Sequence, residues 1–299
     1  MPNDDEANIQ TQTSLCHQFG RDLLRSQTEA IDELLHDLSG LNSVNSKPEV
    51  YVPILMMQAV GVSIHSVLSL TRERDMGIRD CFGIARSAVE TALNAAFISA
   101  SGSAMAEKAV RHMRQKRWRD LRRQGRVGDL KITVSRDVGM SVDDLPGLRE
   151  ALNEYTNRKG DEIRDWTPES LERRLAVISG LHKSAGLCLG GATFAIYRPA
   201  SELLHGTYYG VNLFWQGSRS EPARRREEFE MLWLTDHFVT LLSALLFGAS
   251  GAIQVIAFTH SLQRHIKRQD DLLEKLNLLT EKLGELDSDD CHNFHSTSA

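Results

Sequence analysis

The stretch FVTLLSALLFGASGAIQVIAF, from Phe238 to Phe258, contains no charged residue. A helix of this length can cross a bilayer. It also suits the central helix of a bundle, which is apolar on every side because neighbouring helices cover it. The chain around it is polar, and the other apolar stretch, Tyr51 to Leu70, is interrupted by polar residues. We therefore predict a central bundle helix, with a membrane span as the alternative.

Composition and charge favour a globular, cytoplasmic protein. The 299 residues are 41% hydrophobic and 25% charged, which excludes disordered and collagen-like classes. The net charge of −5 predicts no general affinity for nucleic acid. The four cysteines form no C-x-x-C pair, which argues against a disulfide framework or a zinc site and fits a reducing cytosol. The polar, acidic start predicts no secretory signal.

On both sides of this apolar stretch, apolar residues recur at steps of three and four, so we predict a single all-α bundle. Its first helix starts after Ser14 as N-cap and stops at Gly40. Residues 1–14 and 287–299 are predicted disordered tails, and residues 15–286 form one domain with its core at 50–258. Further helices are expected at about 50–70, 76–100, 103–123, 147–158 and 168–179, the last capped by Thr167. A short extended piece is expected at Leu130 to Val134.

The last predicted helix, residues 260–286, carries leucines at four- and three-residue steps from Leu272 to Leu286. This seam is expected to pack on its own bundle or on a second copy, and a homodimer is the predicted assembly.

Charged residues interrupt the apolar third helix. Arg86 and Glu90 are four residues apart and so share a face, where an intrahelical ion pair is the simplest role. A second cluster lies in YRPASELLHG, residues 197–206. Tyr197, Ser201 and His205 step by four, with Arg198 and Glu202 beside them. Pro199 favours the first turn of a helix, which would place Tyr197 and Arg198 at or before its start.

The fourth predicted helix is strongly basic. From Glu107 to Arg126 nine Lys and Arg residues oppose two acidic residues, a local charge of +7. Arg111, Arg114 and Trp118 share a face by spacing. They predict either a solvated helix surface or contacts with RNA, in which Trp118 stacks on a base.

Two resemblances follow from these motifs. The A-R-S-x-x-E segment Ala85 to Glu90, Trp166-Thr167-Pro168 and Y-x-x-x-S-x-x-x-H-G from Tyr197 resemble an uncharacterised, mainly bacterial family of helical domains, over about Val50 to Phe258. Arg198, six intervening residues and His205 resemble the Arg and His pair of the HEPN superfamily of helical ribonucleases and toxins.

The HEPN resemblance implies metal-independent RNA cleavage in a dimer and requires no cofactor. His205 would transfer the proton of the 2′-hydroxyl, Arg198 would hold the phosphate and Glu90 would orient His205. Tyr197 or Ser201 would position the phosphate. A metal site formed by Glu90, Glu202 and His205 is an alternative, since Glu202 and His205 have the spacing of one Glu-x-x-His motif.

Nucleotide-binding, esterase and zinc-protease motifs are missing from the sequence. Two hypotheses remain. The first is a HEPN-like ribonuclease or RNA-binding protein. The second is a non-catalytic helical interaction module, in which Arg86, Glu90, Tyr197, Ser201 and His205 form a buried network and residues 238–258 provide a possible membrane contact.

Overall fold

The computed structural model describes residues 4–40, 47–133, 139 and 141–296, and the fold is all-α as predicted. The long helices are α1 (Asp4–Gly40), α2 (Pro48–Leu70), α3 (Ile78–Ser101), α4 (Ser103–Asp120), α7 (Lys183–Leu204), α10 (Val239–Thr259) and α11 (Gln263–Ser296). The shorter ones are α5 (Leu148–Glu154), α6 (Leu171–Leu181), α8 (Tyr208–Gln216) and α9 (Arg226–Leu232). A π-helical segment, Trp233–Phe238, joins α9 to α10.

Helix α10 is the centre of the bundle. It packs most extensively against α7 and α3, and also against α1 and α11. Two helical stretches are long and apolar enough to cross a membrane: Pro48–Leu70, with 33% of its most apolar window buried, and Arg226–Thr259, with 83% buried. Helix α10 is thus covered by its neighbours, whereas only a third of the most apolar window of α2 is buried. Both helices allow a membrane association on length and composition alone.

Small residues let α10 approach its neighbours closely. A β-carbon on Gly248 would lie 3.1 Å from the side chain of Val89 in α3. The facing positions of α7, such as Ala192 and Ala185, are also small and fully buried. Glycine inside a helix costs about 1 kcal/mol relative to alanine. The close contact of three apolar helices offsets that cost.

Several helix ends differ from the sequence-based expectation. Helix α1 begins at Asp4, ahead of the expected cap at Ser14, and α11 continues to Ser296. Helix α6 begins at Leu171, because the side chain of Ser170, not that of Thr167, accepts the backbone N–H of Arg173 at 3.3 Å. The hydroxyl of Thr167 instead accepts the N–H of Glu169 in the preceding turn.

Pro199 lies inside α7 and does not begin a helix. The helix starts sixteen residues earlier at Lys183, where the ring of His182 accepts the N–H of Ala185 at 3.2 Å. Proline removes one helical hydrogen bond. Buried residues on both sides of it, Ile196, Ala200 and Leu203, hold the helix against the core.

The extended piece is one strand of an exposed hairpin. Strand β2 (Leu130–Thr133) pairs antiparallel with β1 (Gln124–Val127), with Val127 opposite Leu130. Gly128 at the turn has φ +59, a conformation that favours glycine. Val134, the expected end of the strand, lies outside the described residues.

The leucine seam of α11 packs on its own chain. Leu272, Leu276, Leu279 and Leu283 are at most 4% exposed and belong to the common core. Polar contacts fix the helix in place: Gln269 accepts hydrogen bonds from Gln27 of α1 at 3.0 Å and Ser250 of α10 at 2.7 Å. The side chain of Leu286 lies outside the described residues. The buried leucines of the seam are therefore not available to a second copy.

Candidate functional site

The two sequence clusters come together because α3 and α7 are antiparallel neighbours. Near one end, the guanidinium of Arg79 donates to the carbonyl of Leu203 at 3.2 Å, and a β-carbon on Gly83 would touch Leu204. Two turns along α3, Arg86 reaches Tyr197. The contact between the helices places α3 residues beside the YRPASELLHG segment. No local sequence pattern predicts this contact.

The first group of the site is Arg86, Tyr197 and Glu90. The guanidinium of Arg86 lies over the ring of Tyr197, 5.3 Å from its centroid. Burial raises the pKa of Tyr197, and the negative charge of Glu90 raises it further. The intrahelical ion pair expected between Arg86 and Glu90 is absent from the described contacts. Arg86 stacks on tyrosine instead, in a cation–π contact worth about 0.5–2 kcal/mol.

The second group, Arg198 and His205, lies on the other flank of α7. Seven residues apart, the two side chains share a helical face and both are exposed. The guanidinium of Arg198 lies 5.6 Å from the ring centroid of Tyr209 in α8. The backbone N–H of His205 donates to Ser201 at 3.0 Å, and its imidazole makes no hydrogen bond within the described part of the chain. The network expected to bury His205 is therefore not formed.

The structure separates Glu90 from His205. The charge of Glu90 raises the pKa of Tyr197. Tyr197 precedes His205 by eight residues, or about 12 Å along the helix. The expected orientation of His205 by Glu90 is not found. Glu202 is engaged elsewhere, since its carboxylate accepts the hydroxyl of Thr207 at 2.6 Å. Ser201 is half-buried between the two groups.

The described residues contain no group of three or more His, Cys, Asp or Glu side chains that could hold a metal ion. Glu90, Glu202 and His205, considered as metal ligands from the sequence, do not converge. The metal alternative therefore has no geometric support in the described part of the fold.

The basic helix α4 has already paired much of its charge. Arg111 forms an ion pair with Glu154 at 2.6 Å, and Lys116 forms one with Glu162 at 2.7 Å. Arg114 donates to the carbonyl of Pro146 at 3.2 Å. One face of Trp118 is covered by the guanidinium of Arg122, 3.6 Å from the ring centroid. The side chains expected to contact RNA thus serve mainly to hold the segment that includes α5 against α4.

An apolar stripe on α7 was missed by the sequence analysis. Leu187 is 69% exposed and Phe194 is 90% exposed, and they share the outer face of α7 with Arg198 and His205. Tyr209 of α8, which is 49% exposed and lies against Arg198, extends this surface, and α8 also exposes Tyr208 and Trp215. We call this surface the α7–α8 face. The seven-residue step from Leu187 to Phe194 predicts that the two side chains share a face of the helix. It does not predict that this face is exposed.

A groove of about 370 Å³ runs beside the α7–α8 face. Its floor is the outer row of α10 with the π-helical segment, and its walls are α7 and α11. The lining residues are Ala195, Thr235, Asp236, Val239, Thr240, Ser243, Thr280, Leu283 and Gly284. Asp236 is held by Ser218, whose N–H donates to the carboxylate at 2.6 Å. No α4 residue and neither His205 nor Arg86 lines this groove.

Comparison of the chain with family models, with curated proteins and with solved structures gives no match.

Proposed function

We propose that this chain is a non-catalytic, cytoplasmic interaction protein that binds another protein through the α7–α8 face. The observation that carries the proposal is the exposure of Phe194, 90%, on a helix whose inner face is fully packed. Large contiguous apolar patches on a soluble surface mark interaction sites. Aromatic residues and arginine, which are enriched at such interfaces, are the residue types present here.

The contacts of the face support a preformed surface. Arg198 is held over Tyr209, so the cation and the ring are placed before a partner arrives. Thr207 caps α8 by accepting the N–H of Gly210 at 3.0 Å, which fixes the corner between the two helices. A rigid surface loses little entropy on binding, which favours affinity.

Site-specific photocrosslinking in cells tests this function. With a benzoylphenylalanine residue in place of Phe194, we expect a discrete protein adduct on illumination. The same residue in place of Lys159, which is exposed in the polar loop after α5, is the control and should give none. Adding Leu187→Ser and Arg198→Glu should remove the adduct at position 194. The absence of a discrete adduct at position 194 would refute the interaction function.

Ribonuclease activity is the second candidate, favoured by the exposed Arg198 and His205 on one face. In this reaction His205 takes the proton of a 2′-hydroxyl, and the 2′-oxygen bonds to phosphorus. The bond from phosphorus to the 5′-oxygen then breaks, and the leaving oxygen takes a proton from water. Arg198 stabilises the charge on the phosphate. The products are a 2′,3′-cyclic phosphate and a 5′-hydroxyl.

Cleavage of total RNA in the presence of EDTA tests the second candidate. If it holds, the purified chain cleaves RNA and His205→Ala abolishes cleavage at an unchanged melting temperature. His65→Ala, which changes an exposed histidine on α2, is the control that keeps activity. Intact RNA with the wild-type chain would exclude this candidate.

A further inference from the structure

We infer that the partner of the α7–α8 face is a second copy of this chain, with Phe194 of each copy inserted into the groove of the other. This inference depends on the interaction function proposed above and specifies its partner. It begins from two features that lie side by side. Phe194 projects from α7 almost fully exposed, and the next residue, Ala195, lines the groove.

The position of the projection beside the groove fits a two-fold axis. In a symmetric dimer the same surface of each copy must be complementary to itself. A projecting side chain and a recess on one face satisfy that condition, because each copy offers both. The groove of about 370 Å³ has room for a phenyl ring. Its apolar lining, Ala195, Val239 and Leu283, suits a ring as well.

The charges are complementary in the same arrangement. Arg198 follows Phe194 by one helical turn on the projecting stripe, and Asp236 supplies a carboxylate inside the groove. Insertion of Phe194 brings the guanidinium of one copy toward the carboxylate of the other. A cation beside the projection and an anion within the recess favour this occupant over an acidic peptide or a nucleic acid.

The size of the surface is close to that of a dimer interface. Helix α7 is about 33 Å long, and a strip that crosses α7, α10 and α11 is about 20 Å wide. Such a strip approaches the roughly 800 Å² per partner that stable interfaces bury. The leucine seam of α11 is buried in its own chain, so a second copy would contact this strip and not the seam.

The groove is open because small residues line it, and Gly284 provides a means to fill it. A β-carbon on Gly284 would meet no atom within 4 Å, so the fold does not require glycine there. A larger side chain at this position occupies the groove while the helix keeps its packing. The variants Phe194→Ala and Gly284→Leu therefore remove the projection and the recess separately.

Sedimentation equilibrium of the full chain tests the inference. We expect a wild-type dimer and a dissociation constant raised at least about 10-fold by either variant. An equimolar mixture of the two variants should dimerise more tightly than either alone, because one intact pair forms between an unchanged Phe194 and an unchanged groove. Lys159→Ala, in the exposed polar loop after α5, is the control that leaves the dimer unchanged.

Three results would overturn the inference. They are a monomeric wild-type chain, a Phe194→Ala variant that dimerises as tightly as wild type, and a mixture no tighter than its components. The photocrosslinking experiment distinguishes failure of the dimer inference from failure of the interaction function. An adduct of twice the chain mass supports the dimer. An adduct with a different protein, together with a monomeric wild type, refutes the dimer and keeps the interaction function.

Discussion

A β-carbon on Gly251 would lie 2.8 Å from the carbonyl oxygen of Ala185, so α10 and α7 cross where no side chain fits. The side chain of Leu189 would be equally close, at 2.7 Å. We expect Gly251→Ala to lower the free energy of unfolding by about 1–3 kcal/mol, measured by urea denaturation. Gly190→Ala in α7 is the control: a β-carbon there meets nothing within 4 Å, so its stability should be unchanged or higher. Equal effects of the two variants would contradict the tight crossing.

A second prediction concerns Gln254, which is fully buried in α10. Neither its amide nitrogen nor its oxygen has a hydrogen-bond partner among the described residues. Gln254→Met should raise the free energy of unfolding by about 1 kcal/mol, because it removes an unpaired polar group at similar volume. Gln269→Met should lower it by about 1–2 kcal/mol, because the loss of the acceptor for Gln27 and Ser250 outweighs the removal of the unpaired amide nitrogen of Gln269. Thermal melts of both variants would show shifts of opposite sign, and a loss of stability in Gln254→Met would rule out this account.

The third prediction is a loss of stability in acid that involves His17. Burial lowers the pKa of His17 from 6.5 to about 4. The unfolded chain therefore binds more protons than the folded one between these values, and stability falls as the pH falls from 6.5 to 4. The contribution of His17 is about 3 kcal/mol.

Urea denaturation across this pH range checks the contribution of His17. His17→Gln removes the titrating group and keeps a donor for the carbonyl of Thr71, which His17 contacts at 2.9 Å. The variant should show a shallower pH dependence. Burial also lowers the pKa of His237, so some dependence should remain. Parallel curves for wild type and variant would disprove the role of His17.

The fourth prediction concerns Tyr155, which is 2% exposed below α4. Its hydroxyl lies 2.9 Å from the carbonyl oxygen of Trp166 and 3.2 Å from that of Lys108, and it donates to this pair. Tyr155→Phe should cost about 1 kcal/mol of stability, measured by chemical denaturation. Tyr208→Phe, on a side chain that is 86% exposed, should cost nothing measurable. If both variants were as stable as wild type, the hydroxyl would have no structural role.

The all-α class and most helices were predictable because apolar residues at steps of three and four form one face of a helix. That face is the one that packs against neighbouring helices. Helix α7 shows where that reasoning ends. Pro199 favours a helix start locally, yet burial of Ala200 and Leu203 outweighs the lost hydrogen bond. Strand β1 was not predicted, because QGRV has no alternating pattern and its pairing with β2 is decided by the turn at Gly128.

The candidate site was predictable in its members more than in its arrangement. The sequence singled out Arg198 and His205 but placed them in adjacent rows, with Arg198 at or before a helix start; both lie on one exposed face because α7 continues through Pro199. The contact of Arg86 with Tyr197 depends on how α3 crosses α7, which no local pattern contains. Phe194 and Leu187 look like core residues in the sequence, since exposure is a property of the assembled bundle. The pairing of Arg111 with Glu154 likewise joins residues far apart in the chain.

The π-helical segment Trp233–Phe238 has a consequence for how the chain tolerates changes in length. Three of its side chains make contacts outside the segment. The indole of Trp233 donates to the backbone carbonyl of Asp75, and the carboxylate of Asp236 accepts the N–H of Ser218. The ring of His237 contacts the carbonyl of Phe214 at 2.7 Å. A π-turn holds one residue more than an α-turn. Deleting one residue here, such as Thr235, would remove the extra residue, restore ordinary helix and leave α9 and α10 close to their present rotation about the helix axis. The same deletion inside α10 would rotate the residues before it by about 100° against those after it, so a one-codon deletion should be tolerated better at the π-turn than within α10.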